Sequence, residues 1–288
     1  MSFIPLNTED FVVSSDSIVS TLWSNGQTRL TSYFTSSTAI TNNAYLPVYS
    51  QNPNTIISAL PQFSIAYGQV NGSGSAPLNA AIPGLSPSRI TYGQFRTLVN
   101  GDENTNMNFG TGNSNSPDFY VININRANYK EKLFIGTFNL ALSGSGLINL
   151  TDNSNSVTTI TYCDAGRVFD IVSGSNGSAT TLTYCDAGRV FDIVSGSNGA
   201  ATTSLITTGS VAGYTVSGSY GKFLPDVGLI LLNARALSLS SSFGGIQLSI
   251  PSANNSANLS TVNAALFNAM NLASSTGFSL NSEETITS

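Results

Sequence analysis

The segment TYCDAGRVFDIVSGSNG at 161–177 returns unchanged at 183–199, a period of 22 residues. Repeats build a solenoid only where three or more units stack, because one unit cannot bury its apolar face alone. Two copies fall short of that. They are expected to form a lengthened β-rich loop or an extra hairpin on a fold whose core lies elsewhere, and their identity points to a recent duplication. Each copy carries one of the two cysteines, Cys163 and Cys185. A disulfide between them requires the copies to pair in register as neighbouring strands. Two unpaired thiols made by copying one is the simpler expectation.

The rest of the chain sets the class. Length, at 288 residues, allows a sizeable core. Apolar residues make up 41%, with 15 Phe and 11 Tyr, which argues against disorder. Charged residues are only 9% and histidine is absent, so the polar surface comes from Ser, Thr, Asn and Gly. Histidine is the commonest general acid/base and metal ligand. A chain without it is expected to work by shape, packing and oligomeric contact, not as an enzyme, and to need no cofactor. The net charge of −5 and the dispersal of the ten Lys and Arg leave no basic stripe for a phosphate backbone, so nucleic acid is not an expected partner. The opening residues MSFIPLNTEDFVV lack the basic and apolar regions of a secretory signal. The longest apolar run, Val227–Leu232, is interrupted by Gly228 and falls far short of the ~20 residues of a membrane span. A membrane partner is therefore not expected either.

Periodicity predicts an α+β, β-rich fold: antiparallel sheet, two or three helices, and long Ser/Asn/Gly-rich loops. Residues 1–60, with scattered aromatics Trp23, Tyr33, Phe34, Tyr45 and Tyr49, read as an extended N-terminal arm or short edge strands. Residues 61–288 read as one globular domain that contains the duplicated segment at 161–203. Strands are predicted at Gln62–Val70, Phe119–Asn125, Leu133–Leu142, Gly228–Asn233 and the alternating Ile246, Leu248 and Ile250. A helix is predicted over Ser86–Asn100, with Ser86 as cap, Pro87 in the first turn, Tyr92, Phe95, Leu98 and Val99 on one face, and Gly101 at the end. A second helix over Asn258–Leu272 aligns Leu259, Val262, Leu266 and Ala269, with Ser256 as cap. The final SLNSEETITS reads as a polar tail.

Chemical sites are weak by comparison with plainer readings. Asp102, Glu103, Asn104 and Asn106 offer oxygen ligands but lack the spacing of a calcium loop, so a solvated turn is expected. No C-x-x-C accompanies the cysteines and no histidine completes a zinc shell, so no metal site is expected. Asp164, Asp170, Asp186, Asp192 and Asp226 could in principle supply the carboxylate pair of a glycosidase, but turn and strand-end roles are the expectation. The loops NGSGS (71–75) and SGSNG (173–177) lack the lysine and the strand-to-helix setting of a phosphate loop. One stretch stands out, RANYKEK at 126–132. Arg126, Lys130, Glu131 and Lys132 are the densest charge in the chain and offer a possible subunit contact, with a solvated loop as the alternative.

Four ordered stretches carry a resemblance: YGQFRTLVNG (92–101), FYVININRANYKEKL (119–133), GRVFDIVSGS (166–175, copied at 188–197) and YGKFLPDVGLILLNARAL (220–237). QFSIAYGQVNGSGS (62–75) and SLNSEETITS (279–288) support them. Together they resemble virion structural proteins of contractile-tailed bacteriophages, especially cyanophage myoviruses. The resemblance covers roughly 62–288. It implies a non-enzymatic component of the tail baseplate or of the fibre attachment. Such a protein is a symmetric homo-oligomer bound to other virion tail proteins, assembled in the host cytoplasm and released by lysis. The doubled GRVFDIVSGS departs from the pattern, and no catalytic residue carries over. The alternatives are a neck, collar or capsid-decorating protein, and a receptor-binding adhesin or depolymerase.

Overall fold

The computed structural model describes residues 15–37, 44–72, 87–109, 115–144, 146–154, 161–163, 188–198, 200–201, 209–211, 214–216, 219–238, 246, 248 and 259–287. The N-terminal part forms β1 (Ser15–Thr21), β2 (Arg29–Leu30), β3 (Tyr45–Tyr49), β4 (Pro61–Gln69) and α1 (Ser88–Asn100). The middle forms β5 (Met107–Asn108), β6 (Asn115–Ser116), β7 (Asp118–Ile124), a 3-10 turn at Arg126–Asn128, β8 (Lys132–Leu133), β9 (Asn139–Ser143), β10 (Leu147–Asp152) and β11 (Thr161–Cys163). The last part forms β12 (Gly188–Ser197), β13 (Ala200–Ala201), β14 (Gly209–Val211), β15 (Tyr214–Val216), β16 (Gly221–Leu224), β17 (Leu229–Leu232), α2 (Ala234–Ser238), α3 (Leu259–Leu272), β18 (Phe278–Ser279) and β19 (Asn281–Thr287). The fold is α+β and β-rich, as expected. Its centre is a curled, half-barrel antiparallel sheet in the order β2-β18-β9-β10-β12-β16-β17-β7-β4-β3, and β11 and β13 pair along β12.

At the centre of the sheet both faces are buried, along β7 and β17, which explains why these strands read as apolar runs rather than alternations. On one face Phe63, Ile65 and Tyr67 of β4 join Tyr120, Ile122 and Ile124 of β7, Ile230 and Leu232 of β17, and Phe191 and Ile193 of β12. Leu259, Val262, Leu266 and Met270 of α3 pack into that core. On the other face Phe119 and Val121, Leu229 and Leu231, and Leu224 meet Tyr92 and Val99 of α1. The helix lies close on β4 because position 68 has no side chain: a Cβ on Gly68 would stand 2.9 Å from the Tyr92 Cα.

α1 begins at Ser88 with Pro87, not Ser86, at the N-cap position and no side chain capping it, and Gly101 ends it, its N–H donating to the Thr97 carbonyl. Ser86 and Ser256 lie outside the described residues. The apolar face predicted for α3 is buried at Leu259, Val262, Leu266 and Ala269.

Four expectations change. The strand predicted over Leu133–Leu142 is two strands, β8 and β9, in two different sheets. The chain breaks at Gly136, whose φ of 76° is a left-handed conformation that glycine adopts without strain, and whose N–H donates to Asp152 Oδ2 at 3.0 Å. Ile246 and Leu248 are buried but belong to no strand, the Ile246 N–H being taken by the Leu237 carbonyl; Ile250 lies outside the described residues. The polar tail is a strand: β19 pairs with β1 along its length, Ser15 opposite Thr287 and Thr21 opposite Asn281.

Of the two readings of residues 1–60, residues 15–37 and 44–60 follow the short edge strands and not the extended arm, since β1, β2 and β3 lie at the ends of their sheets. Leu22, Trp23, Leu30, Tyr33, Leu46 and Val48 are core residues. Trp23 packs 5.0 Å from Phe278, centroid to centroid, and Phe278 in turn packs on Phe63 and Phe138. Irregularly spaced aromatics are here the anchors of a segment that folds with the domain.

The ends of the large sheet are protected against further pairing. β2 is two residues long, and β3 carries Pro47 and a register shift at Val48/Tyr49. β1, by contrast, is a seven-residue edge strand with Ile18 and Val19 exposed.

Candidate functional site

The 126–132 stretch is a hub inside the chain. Asn125 starts it: its side-chain oxygen accepts from the Ala127 N–H at 3.1 Å and its amide donates to the Pro61 carbonyl at 2.9 Å. Asn128 donates to the Gln62 carbonyl at 3.1 Å. Gln62, fully buried, bonds Ser24 in both directions, so the turn also fixes the N-terminal segment. Arg126 lies 4.5 Å over the Tyr129 ring and donates to the Tyr129 carbonyl. Its guanidinium is thus occupied by its own turn.

The remaining charges hold the C-terminal strand. Lys130 pairs with Glu284 at 2.8 Å, their side chains 70% and 37% exposed. Lys132 lies 3.9 Å from Glu283, at 22% and 14% exposure. Glu131 accepts the Thr285 N–H at 2.7 Å, and the Lys130 N–H donates to Ser282 Oγ at 3.2 Å. Ser17 of β1 donates to Glu283 at 2.7 Å. The four residues singled out for a subunit contact, Arg126, Lys130, Glu131 and Lys132, all have partners within their own chain. Where charge is scarce, it is spent on joining the two terminal strands to the body.

A second polar centre is buried in the core. Asp118 opens β7 on the face that carries Tyr120 and Ile122. Arg235 of α2 reaches it with both Nε, at 2.8 Å from Oδ1, and Nη2, which pairs with Oδ2. Tyr67 donates to Oδ2 at 2.7 Å, and Ser116 Oγ lies 2.7 Å from the Asp118 carbonyl. Burial, and then the Asp118 carboxylate, push the Tyr67 phenol well above its ordinary pKa, so it stays a donor. The Tyr120 hydroxyl lies 3.0 Å from the Leu248 carbonyl and 2.9 Å from that of Val262, which fixes both segments against the sheet. Arg235 and Asp118 are 1% and 0% exposed. Such a constellation orients elements; it does not present a group to a solute. Reading the sequence alone does not single out this pair. The available signal was a charge inside an apolar stretch, Arg235 in LILLNARAL and Asp118 before FYVININ.

The other candidates fall as follows. Asp102 accepts the Asn104 N–H at 3.0 Å, and Arg89 reaches Asn104 at 3.1 Å and Glu103 at 3.9 Å. This is a turn bonded to α1, in which the Asn104 N–H holds the Asp102 carboxyl below its usual range. Tyr92 and Arg96 bind the same loop through the Thr105 carbonyl and hydroxyl. Burial lifts the Tyr92 phenol to about 12. Asp192 pairs with Lys222 across β12 and β16. Asp226 lies in the β16–β17 turn; Asp164, Asp170, Asp186 and Cys185 lie outside the described residues. Cys163 stands opposite Gly188. Among the described residues no three His, Cys, Asp or Glu side chains gather as a metal set. No helix among them is long and apolar enough to cross a membrane.

No family model, no curated protein and no solved structure matches this chain.

Proposed function

We propose that the chain is a non-enzymatic structural protein of a contractile-tailed phage virion, a component of the tail baseplate or of the fibre attachment. It acts there as an adaptor, present in symmetric copies and packed against other tail proteins, with no role for nucleic acid or membrane. One observation carries the reading: the stretches that resemble such proteins are neighbours in the folded chain. FYVININ lies in β7, the second GRVFDIVSGS is β12, and YGKFLPDVGLILLNARAL runs through β16, β17 and α2. These strands follow one another in the sheet as β12-β16-β17-β7, and YGQFRTLVNG lies in α1, on β4 beside them. Asp118, one residue ahead of the second stretch, is paired with Arg235 inside the fourth. A likeness confined to loops would say little; one that occupies the middle of the sheet speaks for a shared core.

The surface supports assembly. Tyr45, Ile57, Leu60, Leu147 and Leu272 are exposed apolar side chains on a chain with few charges, and β1 leaves a strand edge that a neighbour can extend. A density map of the intact particle, with mass spectrometry of purified virions, tests the reading. The chain is expected in repeated copies at the baseplate or fibre root. Its absence from the particle, or a position on the neck or capsid, would overturn the assignment.

A further inference from the structure

β1 is held from one side. It pairs with β19 along its whole length, and among the described residues no strand takes its other edge. Which of its main-chain groups face that edge follows from β19. The Thr285 N–H donates to Glu131 and the Asn281 carbonyl accepts the Phe134 N–H, so both residues direct their main chain towards the β8 side. In an antiparallel ladder, residues so turned form non-hydrogen-bonded pairs with the strand behind them. Ser17 and Thr21, opposite Thr285 and Asn281, therefore turn their N–H and C=O groups to the open edge, and by alternation so do Ser15 and Val19. The Ser17 N–H fits this direction: facing away from β19, it donates to the carboxylate of its own neighbour Asp16 at 2.8 Å.

This edge carries none of the features that prevent pairing. It has no proline, no lysine and no register shift. From Asp16 to Thr21 the side chains on both faces are exposed, Ile18 at 48% and Val19 at 42%. The sequence SDSIVST also fits itself. Two such strands overlap over all seven residues in one antiparallel register, with Ile18 opposite Ile18. The outward groups agree with that register: Ser17 faces Val19 and Ser15 faces Thr21, and each pair can exchange both main-chain bonds. The two Ile18 side chains, the most exposed apolar groups of the strand, then cover each other. The strand's one charge does not meet its like. Asp16 stands opposite Ser20 of the second copy, whose hydroxyl can replace the Ser17 N–H that Asp16 gives up. Parallel pairing in register would instead set Asp16 against Asp16.

We propose that β1 pairs antiparallel with β1 of a second copy of this chain, about a two-fold axis at Ile18, so that the three-stranded sheets of the two copies join into one. Such a contact is isologous: the same patch serves both copies. It rests on the reading of the chain as a protein present in symmetric copies, and it names the surface that joins two of them.

Mass in solution and a cysteine placed on the axis test this with the purified full-length chain. Strand-edge contacts lie at the small, weak end of interfaces, so sedimentation should span roughly 1 μM to 1 mM. The parent is expected to pass from monomer to dimer, or to a larger assembly with an even number of copies. Val19→Pro removes an outward N–H and leaves the bonds to β19 in place, since proline is tolerated on a free strand edge. It is expected to keep the parent near-ultraviolet spectrum and to lose the association. Ile18→Cys, made together with Cys163→Ser and Cys185→Ser, is the second arm. A non-hydrogen-bonded pair sets the two Cα atoms about 4.5 Å apart, within the roughly 4.4–6.8 Å that a disulfide spans. It is expected to form a covalent dimer on mild oxidation, and Ser17→Cys in the same background is not. A parent that stays monomeric, an odd number of copies, a folded Val19→Pro that still associates, or cross-linking at 17 as ready as at 18 would each overturn the pairing. Should Val19→Pro not fold, the cysteine variants decide. A monomer in solution would refute the pairing without touching the place of the chain in the particle, which the density map decides.

Discussion

Arg235 holds Asp118 through both carboxylate oxygens where neither side chain meets water. The pair links α2 to the start of β7, and Tyr67 adds β4 through the same carboxylate. Removing one partner of such a pair leaves a buried charge without compensation, whereas removing both does not. Arg235→Met is expected to lower unfolding stability by about 3–5 kcal/mol. Adding Asp118→Asn should restore part of the loss, because the Tyr67 hydroxyl still finds an amide oxygen. Urea denaturation of the two singles and the double gives the coupling directly.

Two neighbouring glutamates on β19 are expected to behave differently. Glu283 is half-buried between Ser17 and Lys132, so Glu283→Ala loses a charge-assisted bond and should cost about 1.5–3 kcal/mol. Among the described residues the ion-pair partner of Glu284 is the well-exposed Lys130, and Glu284→Ala should stay within about 1 kcal/mol of the parent. Hydrogen exchange checks the mechanism: the amides of Ser15–Thr21 should lose protection in the first variant and keep it in the second.

Local signals in the sequence located the elements whose cause is local. Pro87 and Gly101 bracket α1, and the spacing of Leu259, Val262, Leu266 and Ala269 defines the buried face of α3. The apolar runs at β7 and β17 are legible because both faces of those strands are covered. What stayed hidden depends on partners far along the chain. SEETIT is a polar string until Ser282–Thr287 finds Ser15–Ser20, and Asp118 and Arg235 are isolated charges until the sheet brings them together. LFIGTFNLAL has the composition of one strand; the left-handed turn at Gly136, its N–H held by the distant Asp152, parts it into two. The RANYKEK cluster was visible as a site of contact, but its partners in β19 could not be read while β19 looked like a tail.

Gly68→Ala is expected to unseat α1. The added Cβ would meet the Tyr92 Cα and N at 2.9 Å, which is helix backbone and cannot swing aside. Overpacking of this kind costs about 1–3 kcal/mol. The Tyr92–Phe119 contact, 5.0 Å between ring centroids, lies directly above the site. A lowered melting temperature with a changed near-ultraviolet tyrosine signal is the expected result; an unchanged signal would mean that the helix does not bear on position 68.

Asp152 makes stability depend on pH in the sense opposite to that of a paired carboxylate. It is fully buried with no cation beside it among the described residues, and burial raises its pKa in the fold, only partly offset by the N–H groups of Gly136 and Ser154. Between the unfolded carboxyl pKa of 3.8 and the raised folded value, the native state binds more protons than the unfolded one. Stability from this residue is therefore fully present below 3.8 and is lost as pH rises through the folded value. An asparagine in its place keeps an oxygen for the same two N–H groups and does not titrate. In paired denaturation curves from about pH 3 to 7, Asp152→Asn should gain on the parent as pH rises, the other carboxylates cancelling in the difference. A constant difference across that range would show that Asp152 titrates alike in the folded and unfolded chain.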